Sequence, residues 1–572
     1  MRKHRNIVLG RVACALLGAA AGIAVFLMLY GTVTLDVAND GWILNGYDET
    51  DIQQHYAGWL LFRNSHWTFP LGMCDTLAAP DGTMISYTDS LPWVSIGLKL
   101  LRGILPSTFQ WFGWYTLFCF AMQGAAGALL CTRGKMLASR AAPVFAALGG
   151  GVFACLPTLW ERAFRHVALA SQYLFLFALY FYLEYRTALR DGKHPRYAWV
   201  IFPLLGFAAV GIHPYFLPPV MMCSLLAAVD LARIAHKRLA GAGLFGLSLA
   251  AAVAGGVITG ALGSGVEVSR HGYGELSMNL NAVLNPSSRG GYTWSKLLPQ
   301  QHQYPGQYDG FNYLGLGVLV LAVAALLYSL WRTVRSPRQT AQWWRRNLPL
   351  VAACAFLTLF AASNNLTLGS WQISIPIPQA LTELCGIFRS SGRMFYLVGA
   401  CIVLFGVYVV RDACGNSSRG RVLACVLLAV VAAVQLWDLS AVAQQKRQIF
   451  EQPVEATVVN AEQTQTLGSG HSSLLAASLL REDRTRRLAI LAGKQGLATN
   501  ISIAVSGSYP QAEQSALDAG ALLDGGQYDP STVYVTTDES QYNHWQQIFA
   551  EDPGVSLFVT DSCYFLVPVP AA

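Results

Sequence analysis

The chain opens Met1-Arg2-Lys3-His4-Arg5 and runs into an apolar stretch that ends at Tyr30; the polar segment Gly46-Tyr47-Asp48-Glu49-Thr50-Asp51-Ile52-Gln53-Gln54-His55-Tyr56-Ala57-Gly58-Trp59 follows soon after. Basic, then apolar, then rich in acids and amides: this order is the signature of a helix that crosses a bilayer and delivers the chain to the other side. The apolar run is too long for a signal-peptide core and reads as an uncleaved anchor. The composition extends the reading to the whole chain. Of 572 residues, 53% are hydrophobic and only 12% charged, about half the charged share of a soluble domain.

Apolar runs of spanning length recur at about 7–31, 107–131, 142–158, 168–184, 197–213, 215–233, 241–263, 311–331, 348–364, 393–410 and 422–440. The expected fold is therefore a polytopic α-helical membrane protein with about eleven transmembrane helices. Basic clusters fall between alternate runs: Arg133/Lys135/Arg140, Arg186/Arg190/Lys193/Arg196, Arg233/Lys237/Arg238, Arg332/Arg335/Arg338/Arg345/Arg346 and Arg411/Arg419/Arg421. By the positive-inside rule they mark the cytoplasm, with the N-terminus inside and the C-terminal segment outside. The net charge of +7 is thus orientation information and not a nucleic-acid surface. The expected location is the cytoplasmic membrane of a prokaryote.

This topology puts the long polar loops, about 32–106, 264–310 and 365–392, on the outer side. The first of them is expected to carry interfacial helices: an amphipathic one over 50–63 and another over 88–105. The membrane domain extends over 1–444. From 445 to 572 the pattern changes to a small extracytoplasmic α/β domain, with strands expected at 487–492, 501–505, 532–536, 555–560 and 563–567 and helices near 510–521 and 538–550. It shows no Ser/His/Asp or metal-ligand pattern and reads as an accessory domain packed on the outer loops. The twelve cysteines have no zinc spacing; Cys74, Cys385 and Cys563 fall in outer segments, where one pair of them could form a disulfide.

Each polar loop has a functional and a structural reading. Asp51 and His55 stand at an i, i+4 step, which brings an acid and an imidazole onto one helix face beside Gln54. Asp48 as N-cap with Asp51 at N3 also makes a near capping box. In Tyr87-Thr88-Asp89-Ser90-Leu91-Pro92, Asp89 is either a site acid or an ordinary helix start. The amide-rich Ser277-Met278-Asn279-Leu280-Asn281 suits hydroxylated ligands and plain loops alike. Arg389 and Arg393 in Phe388–Arg393 run against the charge bias of an outer face; guanidinium forks match phosphate, of a substrate or of lipid headgroups. His166, next to Arg165, is a weaker candidate of the same kind.

Together, Asp51–Trp59, Trp67–Gly72, Tyr87–Pro92, Ser277–Asn281, Gly310–Gly317 and Phe388–Arg393 resemble the GT-C superfamily of polytopic glycosyltransferases, and more closely a group of bacterial membrane proteins within or beside it. The resemblance implies a donor sugar on a polyprenyl phosphate and an acidic base in the first external loop. By position Asp51 matches best, with Asp48 and Glu49 as competitors; Thr50-Asp51-Ile52 stands where Gly-Asp-Pro is expected. The implied function is sugar transfer to a cell-envelope glycan, lipid or protein acceptor on the outer face, with inversion at the anomeric centre. Asp51 is the base, Arg389 and Arg393 hold the leaving phosphate, and His55, Gln54, Asp89, Asn279 and His166 position substrate. No metal or other cofactor and no nucleic-acid partner is expected. The alternatives are a lipid-linked glycan transporter or flippase, and a non-catalytic envelope-assembly protein.

Overall fold

The computed structural model describes residues 2–45, 51–263, 272–454, 457–503 and 509–569. Among them, nine helices are long and apolar enough to cross a membrane, from Ile7–Tyr30 to Ser418–Asp438. All eleven apolar runs are helical, but Ala142–Ala154 and Ala198–Ile212 have only 13 and 15 residues. At 1.5 Å per residue they span about 20 and 22 Å, short of a hydrocarbon core of about 30 Å. The expectation of about eleven full spans is corrected accordingly. The first short helix breaks at Cys155-Leu156 and restarts at Pro157; the second stops at His213, before Pro214.

The bundle is held by close backbone approach. A Cβ at Gly18 would lie 2.3 Å from the carbonyl oxygen of Gly124, and one at Gly22 would lie 2.0 Å from that of Phe120. Gly150 meets Gly18 in the same way. The first three apolar helices therefore cross at a seam only glycine permits, the small-residue packing expected where lipid supplies no hydrophobic drive. The helix through 167–190 is central, with 83% of its apolar window buried, whereas 316–335 and 337–362 are only 22% buried. Exposed Val320, Leu327, Phe356 and Leu359 on the latter pair form the face that lipid would contact. The basic clusters gather at one end of the bundle, where Arg11 and Arg133 both pair with Glu184 and Arg332 with Asp412. The long loops gather at the other.

At that polar end, the helix Asp51–Asn64 is not amphipathic and does not lie on a leaflet. Every residue from Ile52 to Arg63 is buried, which corrects the interfacial reading. Its polar side chains reach backbone carbonyls of the surrounding loops. Gln53 donates to Ile43 and Leu44 (3.2 and 2.9 Å), Trp59 to Phe109 (2.9 Å), and Arg63 to Pro106 and Leu105 (2.6 and 2.9 Å). Periodicity over 50–63 misled because a helix can be enclosed with polar groups when each finds an acceptor. The 88–105 segment is helical only over Pro92–Lys99; beyond it Leu100, Leu101 and Ile104 are exposed.

The enclosing wall comes from the C-terminal region. Its four-stranded sheet runs Ser473–Ala476, Thr532–Thr536, Cys563–Pro568, Val555–Thr560, the first pair parallel and the rest antiparallel. Three strands fall where expected and Ser473–Ala476 was not foreseen. The strand expected at 487–492 lies inside a helix, Glu482–Gln495. Its acids in the first turn, Lys494 in the last and Gly496 at φ +74° are helix-end chemistry. Residues 501–503 are irregular, and 504–505 of that expected strand lie outside the described residues. The helix packs on Asp51–Asn64: Gly493 sits against Leu60, and Asn64 Nδ2 donates to the Gly493 carbonyl at 2.9 Å. Asp81 accepts from the amides of Gln511 and Ala512 (3.0 and 3.1 Å) at the start of the helix Pro510–Asp524. All twelve cysteines are free, so the disulfide among Cys74, Cys385 and Cys563 is not formed.

The seam predicts a contrast. Gly22→Leu, which forces a side chain into the Phe120 carbonyl, is expected to lower stability in detergent by at least about 1–3 kcal/mol. Gly97→Ala, in a helix where a Cβ meets nothing within 4 Å, should be neutral or gain up to about 1 kcal/mol. Thermal unfolding of the purified variants checks both.

Candidate functional site

The site begins at Gly58. A Cβ there would lie 2.3 Å from Thr88 Oγ1 and 2.6 Å from Ser90 Oγ, so glycine lets the 85–91 segment lie directly on the buried helix. Ser90 donates to the His55 carbonyl at 2.7 Å. The segment is turned back sharply, with Asp89 at φ +57° and Leu91 at φ +48°. Such conformations cost about 1–3 kcal/mol each for non-glycine residues and concentrate at functional sites. Asp89 closes the 3-10 turn Ile85–Thr88 as its C-cap and is not the start of the following helix. Leu91 is the residue before Pro92–Lys99, and it caps with no side-chain bond.

The strained turn aims Asp89 at two imidazoles. His166 Nε2 lies 3.4 Å from Asp89 Oδ2, and His213 Nε2 lies 3.3 Å from Asp89 Oδ1. His213 Nδ1 accepts from the Tyr215 amide at 3.2 Å, which puts its ring proton on Nε2, facing the carboxylate. The two histidines lie after the two short apolar helices, His213 directly and His166 beyond Pro157–Arg162. His55 completes the group, with its ring 5.2 Å from that of His166. It is fully buried, and among the described residues neither of its ring nitrogens has a hydrogen-bond partner; nor has His166 Nδ1. A buried polar group without a partner costs about 1–3 kcal/mol, so the arrangement is one that a bound ligand would repay.

Electrostatics divides the two acids. Burial pushes the Asp51 carboxyl up from the ordinary value, partly countered by His166, with Asp89 adding to the rise and Arg486 and Arg165 opposing it. Burial would raise Asp89 as well, but His166 and His213 outweigh it and hold that carboxyl well below the ordinary range. Burial drives His55 down to about 3, reinforced by His166. Asp89 is thus a fixed anion, His55 a neutral imidazole and Asp51 the more basic carboxylate. One ligand atom each from His55, Asp89 and His166 lie within 4.8 Å of one another. Two imidazole nitrogens and a carboxylate oxygen are donors suited to Zn²⁺, Mn²⁺ or Fe²⁺.

Arg486 was not foreseen. It lies on the helix Glu482–Gln495 of the C-terminal region, which reaches the site because it packs on the Asp51 helix. Nothing in its local sequence distinguishes it from Arg484 and Arg487.

The remaining expected residues divide. Asp48 and Glu49 lie outside the described residues, and so does the N-cap reading of Asp48. Gln54 is buried on the same helix as His55. Tyr215 links the histidines to the Phe388–Arg393 turn: its ring is 5.3 Å from that of His213, and its hydroxyl accepts from the Ser390 amide at 2.9 Å. Arg393, stacked over Tyr215 at 4.6 Å, is taken up by Asp309 through two bonds of 3.0 Å. Arg162 donates to the same carboxylate at 2.8 Å and to Tyr396 at 2.8 Å. Arg389 is half-buried and makes no hydrogen bond or ion pair among the described residues, so of the two arginines it is the one with an open fork there. Asn279 is engaged elsewhere: its amide donates to the Gly369 carbonyl and its oxygen accepts from the Gly369 amide, both at 3.0 Å. It braces the hairpin tip between Asn365–Leu368 and Trp371–Ser374.

Two arginines on one buried carboxylate make Asp309 an anchor. Burial opposes its ionisation, but Arg393 and Arg162 hold its carboxyl far below the ordinary value. The stability it confers is present above the ordinary aspartate range and is lost as pH falls toward the depressed value. Asp309→Asn leaves two buried guanidinium groups uncompensated, and unfolding measurements at neutral pH should show a loss of about 3–5 kcal/mol.

A comparison with curated proteins finds no match. Among solved structures, the chain is similar to the apo crystal structure of the Archaeoglobus fulgidus oligosaccharyltransferase, at 11% identity, covering 98% of this chain and 74% of that one with a TM-score of 0.37. An overlap this loose gives no residue-to-residue correspondence. A family model described as "Domain of unknown function (DUF6311)" matches residues 19–440, well over half of the chain. The chain belongs to the DUF6311 family.

Proposed function

We propose that this protein is an integral-membrane glycosyltransferase that moves a sugar from a polyprenyl-phosphate donor to an envelope glycan, lipid or protein acceptor. The observation that carries the reading is the meeting of Asp51, His55, Asp89, His166 and His213, from four separate segments, at the polar end of a membrane bundle. In this reading residues 1–444 form the membrane domain in a prokaryotic cytoplasmic membrane. The basic end faces the cytoplasm, by the positive-inside rule, and the polar end and residues 445–572 face out.

Asp51 takes the proton of an acceptor hydroxyl as its oxygen attacks the anomeric carbon. The bond from that carbon to the phosphate oxygen breaks, polyprenyl phosphate leaves, and the centre inverts. A carboxylate of raised basicity suits the task so long as it stays ionised at the working pH. Arg389 meets the charge that grows on the leaving phosphate, while Arg393 supports the turn through Asp309. Asp89 keeps His166 and His213 oriented, and the nitrogens of His55 and His166 are open to sugar hydroxyls. Asp48 and Glu49 compete with Asp51 for the role of base.

The unpartnered nitrogens of His55 favour a second reading, in which a divalent cation held by His55, Asp89 and His166 steadies the phosphate. Chelation separates the two: transfer that continues in excess EDTA belongs to the arginine-held reading, and transfer abolished by EDTA and restored by Mn²⁺ or Zn²⁺ belongs to the cation-assisted one.

Asp51→Asn is expected to cost about 10²–10⁴-fold in transfer from a labelled lipid-linked sugar, and wild-type turnover by the folded variant would remove Asp51 as base. The acid limb of the wild-type pH–rate profile should lie above the ordinary aspartate value, because the base must be ionised and burial raises it. Arg486→Gln removes a cation that favours the ionised form, so it should move that limb further up in pH.

A further inference from the structure

At the end of the bundle opposite Asp51 there is a half-open recess of about 830 Å³, in the size range of small-molecule sites. It lies where the first apolar helix, the 131–142 turn, the end of 167–190 and the 411–421 turn meet. Five cations line it, Arg11, Arg133, Lys135, Arg411 and Arg421, against two carboxylates, Glu184 and Asp412. The carboxylates are already engaged: Glu184 pairs with both Arg11 and Arg133, and Asp412 pairs with Arg332.

The cations left over are placed by the fold. Arg411 donates to the carbonyls of Cys131 and Arg133 at 2.8 and 2.7 Å, which fixes its guanidinium without neutralising it. Lys135 and Arg421 make no ion pair or hydrogen bond among the described residues. The charge bias of loops on this side accounts for basic residues in general. It does not account for five of them converging on one concavity, or for the apolar wall of Ile7, Met136, Leu137 and Ala424 on the same recess. A cationic end joined to an apolar wall fits an amphiphile with an anionic head. Basic pockets between membrane helices bind phosphate headgroups on these grounds.

We propose that this recess is a binding site for the phosphate headgroup of an anionic lipid, with Arg411, Lys135 and Arg421 facing the phosphate and the acyl chain lying along the Ile7–Leu137 wall. It is distinct from the Asp51 site and does not rest on the transferase reading.

The test is binding by the full chain in a non-ionic detergent, read by native mass spectrometry and by titration, with dioctanoyl phosphatidylglycerol, dioctanoyl phosphatidylcholine and inorganic phosphate as probes. Saturable phosphatidylglycerol binding at least tenfold tighter than that of phosphatidylcholine is expected, with no comparable binding of phosphate alone. The double variant Lys135→Gln/Arg421→Gln should weaken phosphatidylglycerol binding tenfold or more at an unchanged melting temperature. Equal binding of the two lipids, or wild-type affinity in the folded double variant, overturns the site. Phosphate binding as tightly as the lipid overturns the lipid assignment and leaves a free-anion site. Should the double variant not fold, the comparison of the two lipids on the wild-type chain decides alone.

Discussion

The architecture depends on enclosing a polar helix. Asp51–Asn64 carries two glutamines, a histidine and an arginine, and it is buried from Ile52 to Arg63. Burial of that kind is stable only when each polar group has a partner, and the loops around the helix supply carbonyls to Gln53, Trp59 and Arg63. The enclosure needs the C-terminal region as its outer wall, through Gly493 on Leu60 and Asp81 at the start of Pro510–Asp524. That region packs on the helix and brings Arg486 to Asp51. In such an enclosure His55 stands out, because among the described residues neither of its ring nitrogens has a donor or acceptor.

The second constraint is where two apolar helices end. Two apolar helices stop short, and the residues just beyond them, Arg162 to His166 and His213, enter the polar cluster. Asp89 is brought to them by a backbone turn with positive φ at two non-glycine residues. Strain of this kind persists only where the surroundings fix it, here the contact of Thr88 and Ser90 on Gly58. The result is an ionised carboxylate between two imidazoles, with a second, more basic carboxylate on the neighbouring helix. Asp309 then ties the Phe388–Arg393 turn to the same end through Arg393 and Arg162.

Much of this was legible. Apolar periodicity and basic clusters located every long helix, because hydropathy and charge placement are imposed by the bilayer residue by residue. The stretches that carried the resemblance also turn out to touch. Gly392 packs on Gly310, and Asn312 donates to the carbonyls of both, so their glycines and amides answer to close packing. What stayed hidden depends on distant contacts. His213 looks like an ordinary residue before a proline, Asp309 like a turn, and Arg486 like one of several arginines on a surface helix. The 487–492 segment was misassigned because its apolar run fits strand and helix alike, and the caps that decide lie at either side of it. Arg393 was expected to face phosphate; the long-range partner that occupies it, Asp309, has no mark in local sequence.

The most direct measurement is an experimental structure of the full chain with a non-transferable polyprenyl-phosphate sugar analogue. The account predicts the phosphate at Arg389 and the anomeric carbon turned toward Asp51, with sugar hydroxyls at His55 and His166. An analogue seated away from this cluster, with Asp51 facing bulk water, would contradict it.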